Sequence, residues 1–323
     1  MIVRQPPNAG TSRTITVCDN ATGFAMVDSL GGSPSLMNGT WRGPAPSTSI
    51  VSGFFNPSMV VPGTYIYTYT VTGQSPCPNA SSTLTIIVNP RANAGVSTSY
   101  SVCANQGSVP MLPLLGPNAQ VGGTWTYQPT GASHSGVFQP GVDAAGVYVY
   151  RVEGPQGCSA VTATVAMTVN QPPNAGFNGQ VIVCDNDPAF PLLNVLNGSP
   201  QTFGTWVDPE LESHQGIYIP GQSEPGVYTY TVPGTAPCAG AQAQVNVIQN
   251  HQPDAGNNGV RTICSNAQPF SLFTVLTGTP EQTGTWYDPL GVQVGELFTP
   301  GTAAPGVYKY RILGLTPCES DSA

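Results

Sequence analysis

Charge is what this 323-residue chain has least of. Asp, Glu, Lys and Arg together make up 7 % of it, against roughly 25 % in an average soluble protein. Lys309 is the single lysine, and the formal net charge is −8. A chain so poor in cations has no basic patch to neutralise phosphates, which excludes nucleic-acid binding and a polybasic membrane contact. No run approaches the ~18–20 apolar residues of a spanning helix, so direct membrane insertion is not expected. Almost no segment repeats its apolar residues at a 3.6 period, so helices should be negligible. There is no Cys-x-x-Cys, no His-Glu-x-x-His, no Gly-x-Ser-x-Gly and no phosphate loop, and no catalytic constellation of another kind. The chain reads as non-enzymatic.

What is abundant is Gly (38) and Pro (33), set among Thr, Ser, Asn and Gln, with 40 % hydrophobic residues. Val, Ile and Tyr alternate with polar residues over short runs, which disordered chains of low charge do not do. An all-β, turn-rich protein is expected.

Three markers repeat with a common period of about 80. The tryptophans stand at 41, 125, 206 and 286. A first cysteine stands at 18, 103, 184 and 264, and a second at 77, 158, 238 and 318. Each unit opens on a turn (Pro6-Pro7-Asn8-Ala9-Gly10 in the first). A short alternating strand then ends at cysteine (Thr14-Ile15-Thr16-Val17-Cys18), followed by an apolar stretch and Gly-Thr-Trp. A loop of variable sequence follows, longest from Arg42 to Phe55. After it come an aromatic-Pro-Gly corner, Pro-Gly-Val-Tyr-x-Tyr-x-Val, the second cysteine and a closing strand such as Leu84–Val88. Six or seven period-2 runs per unit indicate tandem immunoglobulin-like antiparallel β-sandwich repeats, arranged as an extended rod. The boundaries fall at 4–90, 91–170, 171–250 and 251–323, with 1–3 as the end of a preceding repeat. The fourth unit stops where its closing strand should begin. A window on a longer array is the plain reading, and a strand supplied by a neighbouring chain is the other.

Eight cysteines allow 105 pairings. The simplest set bridges each repeat internally: Cys18–Cys77, Cys103–Cys158, Cys184–Cys238 and Cys264–Cys318. Each bridge would be worth roughly 4 kcal/mol in the chain-entropy model, and all would need an oxidising compartment outside the cell. Free thiols or metal ligands are the alternatives, and zinc lacks the paired Cys/His spacing it needs. Calcium at the repeat junctions fares little better. The junction positions Asn8, Asn93, Asn174 and Asp254, with Asn20, Asn105, Asn186 and Asn266, offer one carboxylate among eight, too little charge for an oxygen cage. They suit Asx turns. No cofactor is expected.

Trp41, Trp125, Trp206 and Trp286 are expected in the cores. One tyrosine of each Tyr-x-Tyr should face inward and the other lie on the sheet surface, where a carbohydrate platform could form. His134 and His214, at equivalent loop positions, and His251 are expected to be solvated. So is the cluster Asp208, Glu210, Glu212.

The succession Pro-Pro-Asn-Ala-Gly … Val-Cys-Asp-Asn … Gly-Thr-Trp … Pro-Gly-Val-Tyr-Thr-Tyr-Thr-Val … Pro-Cys, over the whole chain, resembles repeats of the giant SprB-like mobile adhesins of gliding Bacteroidota. The resemblance implies type IX secretion, attachment at the outer membrane through regions outside this chain, and a part in gliding motility and surface adhesion. Its partners would be neighbouring repeats of the same long chain, with surface polysaccharide or other cell-surface proteins as further ones. Asp28-Ser29-Leu30 and Asp321-Ser322-Ala323 look like the sites at which such bacteria attach O-glycans, on Ser29 and Ser322. The expected function is a structural stalk or filament segment. A glycan- or protein-binding module working through its inter-strand loops, or an accessory region of a secreted enzyme, is the alternative.

Overall fold

Alternation of β-branched and polar residues between Gly/Pro turns decides the elements here, and a computed structural model of the chain describes residues 1–36, 39–44, 50–51 and 53–323. Much of the variable loop from Arg42 to Phe55 therefore lies outside the described residues. The chain divides into two compact units, Met1–Asn170 and Gln171–Ala323, each holding two repeats. The only helical elements among the described residues are 3-10 turns of three or four residues. None is long and apolar enough to cross a membrane.

The first repeat shows the plan. Its opening strand Arg13–Cys18 runs parallel to the closing strand Ala80–Asn89. The closing strand pairs antiparallel with the tyrosine strand Gly63–Val71, which pairs antiparallel with the tryptophan strand Gly39–Arg42. Along the closing strand Leu84, Ile86 and Val88 are buried while the residues between them are not, the period-2 pattern of a sheet with one wet face. The buried face is covered by a short ladder, Phe24–Ala25 against Phe54–Phe55, and by the 3-10 turn Met26–Ser29, which seats Met26 and Phe55 in the core. The parallel pair is a departure from a wholly antiparallel sandwich. It arises because the chain leaves the opening strand for the covering ladder and returns along the far side of the sheet, so first and last strands end side by side in the same direction.

The second repeat has the same parts: opening strand Thr98–Cys103, tryptophan strand Thr124–Tyr127, tyrosine strand Gly146–Val152 and closing strand Val161–Asn170. In the third they are Gly179–Cys184, Thr205–Val207, Gly226–Val232 and Ala241–Asn250. In both, a short strand carrying His134 or His214 adds to the outer side of the tryptophan strand. Each repeat has its own hydrophobic cluster. The architecture is all-β, tandem and immunoglobulin-like.

The fourth repeat keeps the tryptophan strand Thr285–Tyr287 and the strand Lys309–Ile312, but its closing strand is only Asp321–Ser322. Ala323 corresponds to Ala243. In the third repeat the opening strand pairs from Val245 onward. Residues 258–264 accordingly form no strand. A cleft of about 640 Å³ opens beneath them, lined by Val260, Ile263, Leu276, Trp286 and Tyr308 among others. Trp286 Nε1 is the buried side-chain polar atom without a hydrogen bond among the described residues.

Both tyrosines of each pair face the core, correcting the inward/outward expectation. Tyr67 and Tyr69, Tyr148 and Tyr150, and Tyr228 and Tyr230 are all buried, as is Tyr310 with Tyr308 half-buried. Residues i and i+2 of a strand share a face, so the Tyr-x-Tyr pairs form no outer row of tyrosines among the described residues.

Candidate functional site: the clasp between consecutive repeats

The motif that recurs most strictly, Gly-Thr-Trp, is a packing device. In the third repeat Trp206 lies opposite Tyr230 and stacks on it at 4.8 Å between ring centroids. The Tyr230 hydroxyl donates to Gln201 O and accepts from Gly204 N at 2.8 Å. A Cβ on Gly204 would come within 2.5 Å of the Tyr230 ring, so the residue two before tryptophan must be glycine. Trp125–Tyr150 and Trp286–Tyr310 repeat the stack with Gly123 and Gly284, and Trp41–Tyr69 repeats the stack itself. Trp125, Trp206 and Trp286 are buried. Trp41 is half-buried against its core.

His134 and His214 are not solvated loop residues, whereas His251 is exposed as expected. Gly136 N donates to His134 Nδ1 at 3.1 Å, the ring lies 4.7 Å from that of Tyr148, and Nε2 reaches Asp143 at 3.2 Å. Gly216 N and Tyr228 hold His214 in the same way. Asp208 caps its own turn, its Oδ1 accepting from the N–H of Glu210 and Glu212. The junction residues Asn8, Asn93, Asn174 and Asp254 each accept from the N–H of the glycine two residues on, at 2.7–2.9 Å. That glycine has φ between +77° and +87°, where a side chain would be strained.

The disulfides join consecutive repeats. In the first unit Cys18 bonds Cys158, with Cα atoms 4.8 Å apart; in the second Cys184 bonds Cys318, at 5.0 Å. Cys103 and Cys238 are also oxidised, and Cys77 and Cys264 are free thiols. The internal pairings Cys18–Cys77, Cys103–Cys158, Cys184–Cys238 and Cys264–Cys318 are therefore overturned. The reason lies in the register. Cys18 stands opposite Asn89, the last residue of the closing strand, whereas Cys77 precedes that strand's first residue, Ala80. Ten residues at ~3.3 Å each separate the two by about 30 Å, against a disulfide's Cα span of at most ~7 Å. The end of the closing strand is where the linker leads into the next repeat, so the first cysteine meets the following repeat's second one. These bonds call for an oxidising environment.

Polar bonds surround the sulfurs in both clasps. In the first, Asp19 N donates to Asn89 O, Asn89 Nδ2 donates to Gln156 O at 2.8 Å, and Arg91 N donates to Asp19 Oδ1 at 3.2 Å. In the second, Asp185 N donates to Asn250 O, Asn250 Nδ2 donates to Thr316 O at 2.7 Å, and Gln252 N donates to Asp185 Oδ1 at 2.9 Å. The carboxylate after the first cysteine thus accepts the linker's N–H, a charge-assisted bond. Close approach is also required: a Cβ on Gly157 would sit 2.8 Å from Thr16 O.

The second clasp adds His251, whose Nδ1 lies 2.5 Å from Asp185 Oδ2 and whose Nε2 lies 2.8 Å from Glu281 Oε1. Bonds to both carboxylates raise the His251 pKa above its ordinary value. Burial alone would raise the Asp185 carboxyl, but the Gln252 N–H and His251 hold it below its usual range. Cys184, Asp185 and Cys318 lie close together. With both sulfurs in a disulfide they offer no thiolate to a metal. Sequence reading missed Asp19, Asp185 and Glu281. Asp after the first cysteine in the first and third units was the available signal.

Ser29 ends a 3-10 turn and is half-buried, while Ser322 is exposed beside Asp321, whose Oδ2 accepts from Ala255 N at 2.7 Å.

No protein-family model matches the chain, and no curated protein matches it. Solved structures of tandem immunoglobulin domains do. The titin I-band fragment I67–I69 is 11 % identical with a TM-score of 0.38, covering 76 % of this chain and 99 % of that one. Drosophila OTK extracellular domains 3–5 are 13 % identical with a TM-score of 0.31, covering 76 % and 95 %. Sidekick-1 immunoglobulin domains 1–4 are 11 % identical with a TM-score of 0.26, covering 100 % and 96 %.

Proposed function

We propose that this chain is a non-catalytic stalk segment of a secreted cell-surface adhesin, built to carry tension. The observation that supports this best is the pairing of Cys18 with Cys158 and of Cys184 with Cys318. A bond that ties one repeat to the next gives each such junction two covalent connections. Swivelling at the linker is then restricted, and the main chain between the bonded cysteines is relieved of load. Tyr67, Tyr69, Tyr148, Tyr150, Tyr228, Tyr230 and Tyr310 are buried, which speaks against a carbohydrate platform on the sheet; the alternative, binding through the inter-strand loops, does not depend on them.

The repeat motifs make the stalk of a gliding-motility adhesin of the SprB-like kind, exported by type IX secretion, the specific form of this proposal. Neighbouring repeats of the same long chain would be its partners, and exposed Ser322 its better-placed O-glycan acceptor. Antibody raised against the recombinant repeats is the test. It should label filaments on intact producing cells and slow their gliding. Labelling that appears only after permeabilisation would sink the reading.

A further inference from the structure

Two cysteines remain as thiols, and both occupy positions whose counterparts are bonded. Cys77 corresponds to Cys158 and Cys318, and Cys264 to Cys18 and Cys184. The surroundings of Cys77 already match a clasp on one side. Its Sγ lies 3.8 Å from Arg4 O, as the Cys158 Sγ lies 3.6 Å from Asn89 O. Arg4 and Asn89 are themselves counterparts, each four residues before the Asx-turn asparagine (Asn8 and Asn93). The linker half of a clasp is thus assembled around Cys77, and what is missing is a first cysteine at the end of another opening strand. Cys264 supplies the opposite half. It is exposed, whereas Cys18 and Cys184 are buried, and the corner that approaches it is formed: Gly301 stands against Ser265 O as Gly221 stands against Asp185 O.

We propose that Cys77 and Cys264 are the two open halves of one further clasp, each made to accept another repeat of this same design. Cys77 takes the first cysteine of a repeat placed before it, and Cys264 takes the second cysteine of a repeat placed after it. Cys264 of one copy of the chain therefore pairs with Cys77 of the next. Forming the bond removes two protons and two electrons from the two thiols. A small disulfide oxidant such as oxidised glutathione accepts them and leaves as two thiols. This inference rests on the clasp geometry and not on the adhesin reading, so it stands if surface labelling fails.

The test joins two copies of the full chain in one polypeptide. Gln-Val-Asn inserted between Ala323 of the first copy and Met1 of the second restores the spacing of the third repeat, in which Gln244–Asn246 separate Ala243 from Val247. Cys77→Ser in the first copy and Cys264→Ser in the second leave one thiol of each kind. After refolding in a glutathione buffer and alkylation under denaturing conditions, neither thiol should react, and peptide mapping should find Cys264 of the first copy bonded to Cys77 of the second. Two reactive thiols in a protein whose Cys18–Cys158 bonds are intact overturn the proposal. Separate wild-type chains, oxidised at high concentration, form the second arm, which distinguishes a repeat on a neighbouring chain from one in the same polypeptide. A ladder carrying the Cys264–Cys77 peptide supports the pairing even if the joined protein fails to fold. If neither arm yields that peptide, or only homotypic links form, the proposal is wrong.

Discussion

Cys18 stands directly opposite Asn89 in a parallel ladder, and so at the far end of a ten-residue strand from Cys77. That one register decides the covalent topology of the protein. It predicts an asymmetry between cysteines that look alike in sequence. Cys158→Ser should lower the stability of the first two repeats by about 2–5 kcal/mol, because it opens a bridge across 140 residues. Cys77→Ser should cost far less, under about 1 kcal/mol, because it opens no bridge and Ser keeps a donor for Arg4 O. Urea melts of the full chain with each substitution check this, and equal losses would contradict the register.

The Tyr230 hydroxyl offers a second test, because it joins Gln201 O to Gly204 N beside the Trp206 stack. Tyr230→Phe keeps the ring but removes both hydrogen bonds at a part-buried site, which costs about 0.5–1.5 kcal/mol. Gly204→Ala forces the same ring aside, at a similar cost of about 1–3 kcal/mol. The two should not add, since both act on one contact. A double-mutant cycle by thermal unfolding measures the shortfall.

His251 makes the second clasp sensitive to pH. Its pKa is raised in the folded state, so its contribution is fully present below the unfolded value of about 6.5 and is lost as pH rises through the higher folded value. Asp185 is lowered, so its contribution is present above about 3.8 and is lost as pH falls through the lower folded value. Both hold together between about pH 4 and 6.5. His251→Gln should therefore lower the melting temperature of the third and fourth repeats most near pH 5.5, and much less near pH 9. Asp185→Asn should shrink the difference between wild type and His251→Gln, and Glu281→Gln with it should remove the remainder.

Much of this molecule is written in its period. The positions of Trp125, Cys103 and Cys158 and their counterparts mark the repeat, and alternation along Leu84–Val88 marks the closing strand. What period could not give was which strands become neighbours. Intra-repeat bridges followed from treating each unit as self-contained, whereas the parallel pairing of Arg13–Cys18 with Leu84–Asn89 carries the first cysteine away to the junction. Parallel neighbours leave no short turn in the sequence to announce them. The tyrosine error had a different cause, since i and i+2 share a face and the rule needed no structure. The junction carboxylates were hidden because Asp19 and Asp185, though next to Cys18 and Cys184 in sequence, meet Arg91 N and Gln252 N only after the linker has folded back.

The cleft of the fourth repeat predicts a gain of stability on extension. Adding Gln-Val-Asn-Val-Ile-Gln-Asn after Ala323, the residues of Gln244–Asn250, should give segment 258–264 the parallel partner that Gly179–Cys184 has. Amide exchange in 258–264 should slow, and the melting temperature of the fourth repeat should rise. Scrambling the added seven residues so that Val and Ile fall on alternate positions of the wrong face should abolish both effects, because a one-residue change of phase turns the apolar set outward.

Tension applied at the chain ends meets a short path. From Cys18 it crosses to Cys158, and from Cys184 to Cys318, bypassing the main chain between them. Only about 50 residues lie outside the two loops, whose sequence separations are 140 and 134. At ~3.6 Å per extended residue, each loop stores about 500 Å of contour length that pulling cannot reach while its bond is intact. Force–extension curves of the oxidised protein should therefore lack the long steps of unravelling domains. In a reducing buffer, further extension totalling about 1,000 Å should appear as the sandwiches open. Pairing within each repeat would shield a loop in every sandwich separately and leave the segments between them extensible, so the oxidised contour length distinguishes the two topologies directly. Single-molecule pulling of one sample before and after reduction makes the comparison without a mutation, and a full-length extension under oxidising conditions would contradict the inter-repeat bonds.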